Sequence, residues 1–334
     1  MNLPGVSIII PVLNTERTIK ECLESISSQD YPKNKIEVLI LDGGSTDQTL
    51  NIIKPFVKRL NVKIIAAGFR DNMEARRMVG FQKSKFGLVC ILDSDNYLGS
   101  KDWISKLVQP LVDHSELVGS FTLHYHYDPN QTIFNRYVAL FGGHDPVSYY
   151  LGKTDRLKWT DKTWTRKHQI VLEHSDYTIV KFDVLDFPTL GSNGTIIRKK
   201  FVDLKNLTPE LFFHTDILFD QLSHEHNTYA VVDVPIVHDT SSSLFQNIRK
   251  RVEYMSLHHL KLIKHRRYKV FDGNSPNDVF NLLKFIFYTL TIVEPTGESV
   301  KGFIKVPDLA WFLHPIACWY FLIGYSYSVF NSKL

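Results

Sequence analysis

Asp93-Ser94-Asp95 carries the most chemistry in this sequence. Two carboxylates one residue apart follow the apolar run Leu88-Val89-Cys90-Ile91-Leu92. At that spacing they repel each other unless a cation lies between or beside them. A hard divalent ion with oxygen ligands meets that need, and Mg²⁺ or Mn²⁺ usually keeps phosphate oxygens in its shell as well. An Asp-x-Asp by itself is common in surface loops; the buried strand expected in front of this one gives it weight. A second acidic loop, Asp42-Gly43-Gly44-Ser45-Thr46-Asp47, ends another apolar run. An Asp at a strand end can accept a hydrogen bond from a base N–H or a ribose hydroxyl, and glycines permit close backbone approach. Asp42 and Asp47 can equally cap the helix that follows. Further on, Arg249 and Arg251 lie in a basic stretch. They suit a diphosphate or a lipid phosphate, or a solvated helix face.

These residues need a scaffold, and the flanking periodicity supplies one. The short β-branched run Val6–Val12 reads as a strand buried on both faces, and Ile36–Leu41, Val62–Ala66 and Leu88–Leu92 read as further strands. Helical spacing fills the gaps at Thr18–Ser27, Gln48–Leu60 and Ala75–Ser84. Strands alternating with helices predict βαβ units and a mostly parallel sheet, in which ligands sit beyond the carboxyl ends of the strands. Both acidic loops lie there. Neither is a GxGxxG fingerprint or a phosphate-cradling P-loop, which weighs against hydride transfer and kinase chemistry. A nucleotidyltransferase would want a basic, Gly-rich loop after the first strand, and Pro11–Arg17 offers none.

The middle of the chain, from Val118 to Phe213, is irregular and rich in Tyr, His, Trp and Asp. Beyond it, helices are expected at Phe213–His224 and Phe245–Lys264, with a strand between them at Tyr229–Val237. Two apolar segments follow, Val279–Val293 and Leu309–Phe330, the second long enough to span a bilayer. Basic residues from Lys264 to Lys269 precede them. A cationic stretch beside aromatic amphipathic helices predicts attachment to the cytoplasmic leaflet; a helical hairpin packed on the domain, or a homodimer interface, is the alternative.

Composition bounds the class. The chain has 334 residues, 44% hydrophobic and 22% charged, with a formal net charge of +4. That describes a globular chain rather than a disordered one or a multi-span transporter, and the charge is too mild to imply a nucleic-acid partner. Cys22, Cys90 and Cys318 form no zinc-like set, and a reduced compartment is expected. The N-terminus shows no signal-peptide pattern.

The stretch from Ser7 to Asp95 resembles glycosyltransferase family 2, inverting enzymes with a GT-A fold. The resemblance rests on Ser7-Ile8-Ile9-Ile10-Pro11-Val12-Leu13-Asn14, on Leu23-Glu24-Ser25-Ile26 with Gln29-Asp30-Tyr31-Pro32, on Glu37 to Thr49, and on Ile91-Leu92-Asp93-Ser94-Asp95. It implies a GT-A type, Rossmann-like central sheet flanked by helices, followed by a C-terminal aromatic helical segment that associates with membrane. The expected division is a catalytic domain at 1–240 (nucleotide half 1–117, acceptor half 118–240) and a basic, membrane-associated part at 241–334. The resemblance implies that Pro11, Val12, Asn14 and Asp42 line the nucleotide pocket, with Arg76 or its neighbour Arg77 near the nucleotide. It implies that Asp93, Ser94 and Asp95 handle the sugar-diphosphate and its Mg²⁺ or Mn²⁺, and that His238 is a third metal or diphosphate ligand. Family members often carry a Glu-Asp pair at a helix start beneath the acceptor. Here the segment reads His214-Thr215-Asp216, leaving Asp216 as the candidate base, or as a helix-start residue favoured by the dipole. The implied function is transfer from a nucleotide sugar, UDP-sugar favoured, to a hydroxyl of a lipid-linked or other glycan acceptor at the membrane. A polyprenyl-phosphate acceptor and a non-catalytic glycan-binding role are the alternatives. The aromatic middle region is expected to stack on sugar rings.

Overall fold

The structure is a computed structural model that describes residues 3–164, 169–205, 207–240 and 243–332. The chain divides into two units, one made of Met1–Leu123 with Lys167–Asp239, the other of His124–Arg166 with Thr240–Leu334. The sequence places residues 124–166 in the acceptor half of one continuous domain, but they pack with the C-terminal residues instead. These are long-range contacts, and no local periodicity reports them.

The first unit opens with β1 (Val6–Val12), α1 (Ile19–Ser27) and β2 (Ile36–Asp42). Every residue of β1 and β2 is buried, as their unbroken apolar runs require. The expected helix Gln48–Leu60 is two short ones, α2 (Thr49–Ile53) and α3 (Phe56–Arg59). Pro55 separates them, since it has no N–H to donate and clashes with the preceding turn. Then come β3 (Val62–Ala66), α4 (Met73–Lys83), β4 (Leu88–Ile91), the short β5 (Asn96–Leu98), α5 (Trp103–Asp113) and β6 (Gly119–Thr122). The chain next builds α6 (Ile133–Phe141) and α7 (Pro146–Tyr150) of the second unit. It returns with β7 (Gln169–Glu173), β8 (Tyr177–Lys181), β9 (Thr195–Arg198), α8 (His214–Ser223), β10 (Thr228–Val232) and β11 (Ile236–His238).

The main sheet runs β3-β2-β1-β4-β9-β6-β10-β8-β7. β3, β2, β1 and β4 are parallel, as are β6 and β10; β9 is antiparallel to both its neighbours, and β8 and β7 close the far edge antiparallel. The core under the parallel strands joins Ile9, Leu39, Val89 and Ile197 to Met78 and Phe81 of α4. The single strand expected at Tyr229–Val237 is two, β10 and β11, with Pro235 between them. β11 pairs antiparallel with β5, setting His238 opposite Asn96.

The second unit continues with α9 (Leu244–Tyr254) and a π-helical turn at Met255–Leu260, so the basic helix expected through Lys264 stops early. After it come α10 (Pro276–Thr291), α11 (Val293–Lys305), a 3₁₀ turn at Leu309–Phe312 and α12 (Leu313–Ser332). Pro276 sits at the first position of α10, where its missing N–H costs nothing, and Ser275 caps the same turn. The unit's core is aromatic: Phe141 stacks on His314 with ring centres 4.0 Å apart, and Trp311 meets Phe141 at 4.8 Å. Tyr137, Tyr149 and Tyr150 surround the same His314. Much of the aromatic middle region is thus spent on this core. By length and composition, Leu309–Asn331 is apolar enough to cross a membrane.

Candidate active site

Register brings the first three expected positions together. β1 and β2 run in parallel with Pro11 opposite Leu41 and Val12 opposite Asp42, so both strands end at one level. Asn14 follows in the left-handed region at φ 53°, which Asn tolerates better than most residues. Its Oδ1 accepts from the Thr46 N–H at 2.8 Å, and its own N–H donates to Ser45 Oγ at 3.1 Å. The Asp42 carboxylate accepts from the Gly44 N–H (3.1 Å), the Ser45 N–H (3.0 Å) and Ser45 Oγ (2.6 Å). The two loops are therefore one hydrogen-bonded shelf at the carboxyl edge of the sheet. Asp47 serves as a cap. Burial works against its charge, but hydrogen bonds from Thr49 and from the Glu16 N–H hold its carboxyl below the usual range.

α4 supplies two buried arginines. Arg76 donates to the carbonyls of Phe69 (2.7 Å) and Arg70 (2.9 Å). It lies directly behind the β2 loop, where a Cβ on Gly43 would come within 2.6 Å of its Nη1. Arg77 turns the other way, and its Nη2 donates to Asp93 Oδ1 at 2.6 Å. It also forms a buried ion pair with Glu74. Glu74 in turn accepts from the His214 N–H at 3.0 Å and lies 2.9 Å from His214 Nδ1. One buried network thus joins α4, the end of β4 and the start of α8. Burial would raise the Glu74 carboxyl, but Arg77 and His214 more than offset that and hold it well below the usual carboxylate range.

Beyond Asp93, Ser94 is buried and Asp95 half-buried. His238 Nε2 lies 3.8 Å from Asp95 Oδ2, and the Asp239 N–H donates to the Asp95 carbonyl at 2.8 Å. The β5–β11 ribbon makes this approach. Burial pushes the Asp95 carboxyl above its ordinary value; His238 opposes that and Asp93 adds to it. A divalent cation would relieve this repulsion, and Asp95 with His238 offers it one oxygen and one nitrogen. Asp93 is already partnered by Arg77. Among the described residues no cluster of three or more His, Cys, Asp or Glu forms a ready-made cage. Such an open set suits an ion that completes its shell with phosphate oxygens and water.

Asp216 lies in the first turn of α8, two residues from His214, and is fully buried. The loop Gly191-Ser192-Asn193-Gly194 packs on that helix start: Gly191 has φ +112°, and a Cβ there would fall 3.1 Å from the His214 carbonyl oxygen. Arg249 and Arg251 belong to the second unit, on α9. Arg251 faces Asp145 at 3.8 Å and the Tyr254 ring at 5.3 Å, and Asp145 also accepts from Tyr325 at 2.7 Å. It is a structural cation of that unit. Arg249 is exposed. The residues that sequence reasoning missed are Glu74 and His214. The only local trace is that Glu74 and Arg77 stand three apart on one helix; the contact with His214 spans 140 positions.

The profile of Glycosyl transferase family 2 matches residues 7–186, more than half of the chain. The chain belongs to this family. Over 94 residues it is 39% identical to Glycosyltransferase AglE of Haloferax volcanii, covering 28% of this chain and 31% of that protein. Over 60 residues it is 52% identical to the dolichyl N-acetyl-alpha-D-glucosaminyl phosphate 3-beta-D-2,3-diacetamido-2,3-dideoxy-beta-D-glucuronosyltransferase of Methanococcus voltae, covering 18% of this chain and 19% of that one. Each of these relatives is matched over less than a third of its own length. Among solved structures, mannosyltransferase PcManGT from Pyrobaculum calidifontis, in complex with GDP-Man and Mn²⁺, superposes with a TM-score of 0.55 at 13% identity, over 99% of this chain and 88% of that one. S. aureus TarS 1-349 in complex with UDP-GlcNAc gives 0.51 at 16% identity, over 98% and 91%. At these identities the likeness is one of fold, and that fold is GT-A.

Proposed function

We propose that this family member moves a sugar from a nucleoside-diphosphate sugar, a UDP-sugar in the first place, to a hydroxyl of a membrane-associated, lipid-linked saccharide. One observation carries the reading: Asp93-Ser94-Asp95, His238 and the Asp42 shelf meet at the carboxyl ends of parallel strands, where such sheets bind ligands. Pro11, Val12, Asn14 and Asp42 hold the nucleoside, and Arg76 fixes the loop beneath it. Arg77 orients Asp93. Mg²⁺ or Mn²⁺ held by Asp95 and His238 would offset charge on the leaving diphosphate. Asp216 takes the proton of the attacking hydroxyl, and the single displacement inverts the anomeric carbon without a covalent glycosyl-enzyme. The lipid-linked acceptor draws support from the M. voltae relative, whose name gives a dolichyl phosphate-linked substrate. It also draws on the exposed apolar side chains of α10 to α12, among them Phe287, Ile304 and Ile323, which would rest on the cytoplasmic leaflet.

The test is turnover of UDP-, GDP- and dTDP-sugars with Mn²⁺, Mg²⁺ or EDTA, for the native protein and Asp95→Ala. Metal-dependent turnover of one donor, lost in the variant, is expected. No binding or turnover of any donor would move a non-catalytic glycan-binding role to the front. The complete burial of Asp216 favours one second reading, transfer to a polyprenyl phosphate, whose oxygen needs no base. Asp216→Asn separates the two. A hydroxyl acceptor predicts a loss of about 10²–10⁴ in kcat; near-normal turnover selects the phosphate.

A further inference from the structure

The second unit holds a cavity of about 370 Å³ between the α7 region and α10. None of its lining residues belongs to the candidate active site. Tyr149, Tyr150 and Tyr288 line it, together with five charged side chains. The Tyr149 and Tyr150 rings meet edge to face at 5.1 Å, and Tyr150 meets Tyr288 at 5.9 Å. Arg156 is paired with Asp155 at 3.0 Å. Lys158 Nζ lies 4.9 Å over the Tyr149 ring and is paired with Glu298. Lys284 Nζ lies 5.6 Å over the Tyr288 ring, and Glu294 accepts from the Tyr150 hydroxyl.

We propose that this cavity binds a neutral saccharide. Its volume falls in the lower part of the range for small-ligand sites, about 300–1,000 Å³. Tyrosine rings offer apolar faces to the C–H side of a pyranose and polar edges to its hydroxyls. Lysine ammonium groups donate and carboxylates accept, so a ring of hydroxyls finds both kinds of partner. An anion is the wrong match, because Lys158 is paired with Glu298 and Arg156 with Asp155, which leaves Lys284 against two acids, Asp161 and Glu294, that the new charge would face. Burial already raises the Glu294 carboxyl, and the nearby Glu298 raises it further despite the bond from Tyr150. A purely apolar ligand would strip water from Lys284 and Glu294 and return no hydrogen bond. The inference goes beyond the proposed transfer reaction and does not depend on it. Two sources share this chemistry, a free oligosaccharide and one carried on a lipid; Leu283 and Phe287 are exposed on α10, next in sequence to the lining residues Lys284 and Tyr288.

The experiment uses the full chain. Cellobiose, maltose and N,N′-diacetylchitobiose serve as free probes in ligand-observed NMR. Phosphatidylcholine vesicles with and without a glucosyl diacylglycerol serve as the lipid-borne probe. Binding of a free sugar in the range of about 1 mM is expected, weakened about tenfold in Tyr288→Ala. If that variant loses its native circular dichroism, Glu294→Gln replaces it, with a loss in the same direction expected. Preference for the glycolipid vesicles without free-sugar binding, again lost in the variant, supports the lipid-borne source. The proposal is overturned if no free probe binds and the two vesicles bind alike, if binding is unchanged in the folded variant, or if inorganic phosphate displaces the sugar.

Discussion

Glu74 is buried and bonded on two sides, by Arg77 and by His214, and Arg77 passes the restraint on to Asp93. Its carboxylate fixes the arginine that fixes the aspartate. Glu74→Gln removes a carboxylate paired with the buried Arg77, and removing one member of a buried pair costs about 3–5 kcal/mol. The pH dependence follows from the same network. The native Glu74 carboxyl is held well below its unfolded value of 4.5, so the native state gives up this proton more readily than the unfolded chain. The stability it contributes is fully present above that unfolded value and is lost as pH falls toward the native one. Denaturant melts from pH 7 down to pH 3 should therefore show a steep acid loss in the native protein and a shallower one in Glu74→Gln. Parallel curves would remove Glu74 from this role. Sequence alone exposed Asp93, because Asp-x-Asp after an apolar run is a local pattern. It did not expose Glu74 or His214, whose meeting depends on a contact between α4 and α8 separated by well over a hundred residues.

α4 reaches the sheet through Gly80, and that approach decides where Arg76 and Arg77 point. A Cβ at position 80 would lie 2.7 Å from Leu41 Cδ1 and 2.9 Å from Ile9 Cβ, both in buried strands. Two effects compete in Gly80→Ala. Helix propensity favours alanine by about 1 kcal/mol; overpacking a filled core costs about 1–3 kcal/mol. The second should win, because β1 and β2 are pinned in register and cannot retreat. We expect a lower melting temperature and weaker donor binding, since a tilted α4 carries Arg76 away from the β2 loop. A higher melting temperature with unchanged donor binding would show that α4 is not so tightly seated. Elements like β1, β2, β3 and α4 were legible because each keeps one period from end to end. The errors occurred where a single residue interrupts the period. Pro55 divides one expected helix, and Pro235 lies in the break that divides one expected strand. The helix α11 went unread because Pro295, Gly297 and Gly302 look like a linker, although Pro295 falls in the first turn, where proline is tolerated.

The grouping of residues 124–166 with the C-terminal helices was not legible, yet it accounts for much of the aromatic excess. Tyr137, Phe141, Tyr149 and Tyr150 build a core with Trp311 and His314. That core also bears on the membrane reading. Residues Ala317, Cys318 and Phe321 of α12 are buried, and Tyr325 donates to Asp145 of the same unit. Its other side exposes Ile316, Tyr320, Ile323, Tyr327 and Phe330, while α10 exposes Phe280, Leu283, Phe287 and Leu290 at helical spacing. A helix committed on one side to its own unit is better suited to lying along a bilayer than to crossing it. Charge agrees: among the described residues from 276 to 332, the exposed charged side chains are Lys284, Lys301 and Lys305, and the acids are buried or half-buried. The face should therefore bind vesicles containing phosphatidylglycerol more tightly than neutral ones, and rising salt should weaken the difference. Phe287→Ser and Ile323→Ser each remove an apolar side chain worth about 1.5 kcal/mol or more when buried in lipid, or roughly tenfold in partitioning. As both are exposed, their melting temperatures should stay near that of the native protein. Sedimentation with vesicles, read beside a thermal melt, checks both halves. A native protein that ignores both vesicle types would end the membrane reading, and a variant that loses its fold along with its binding would place these residues in the core instead of on the lipid.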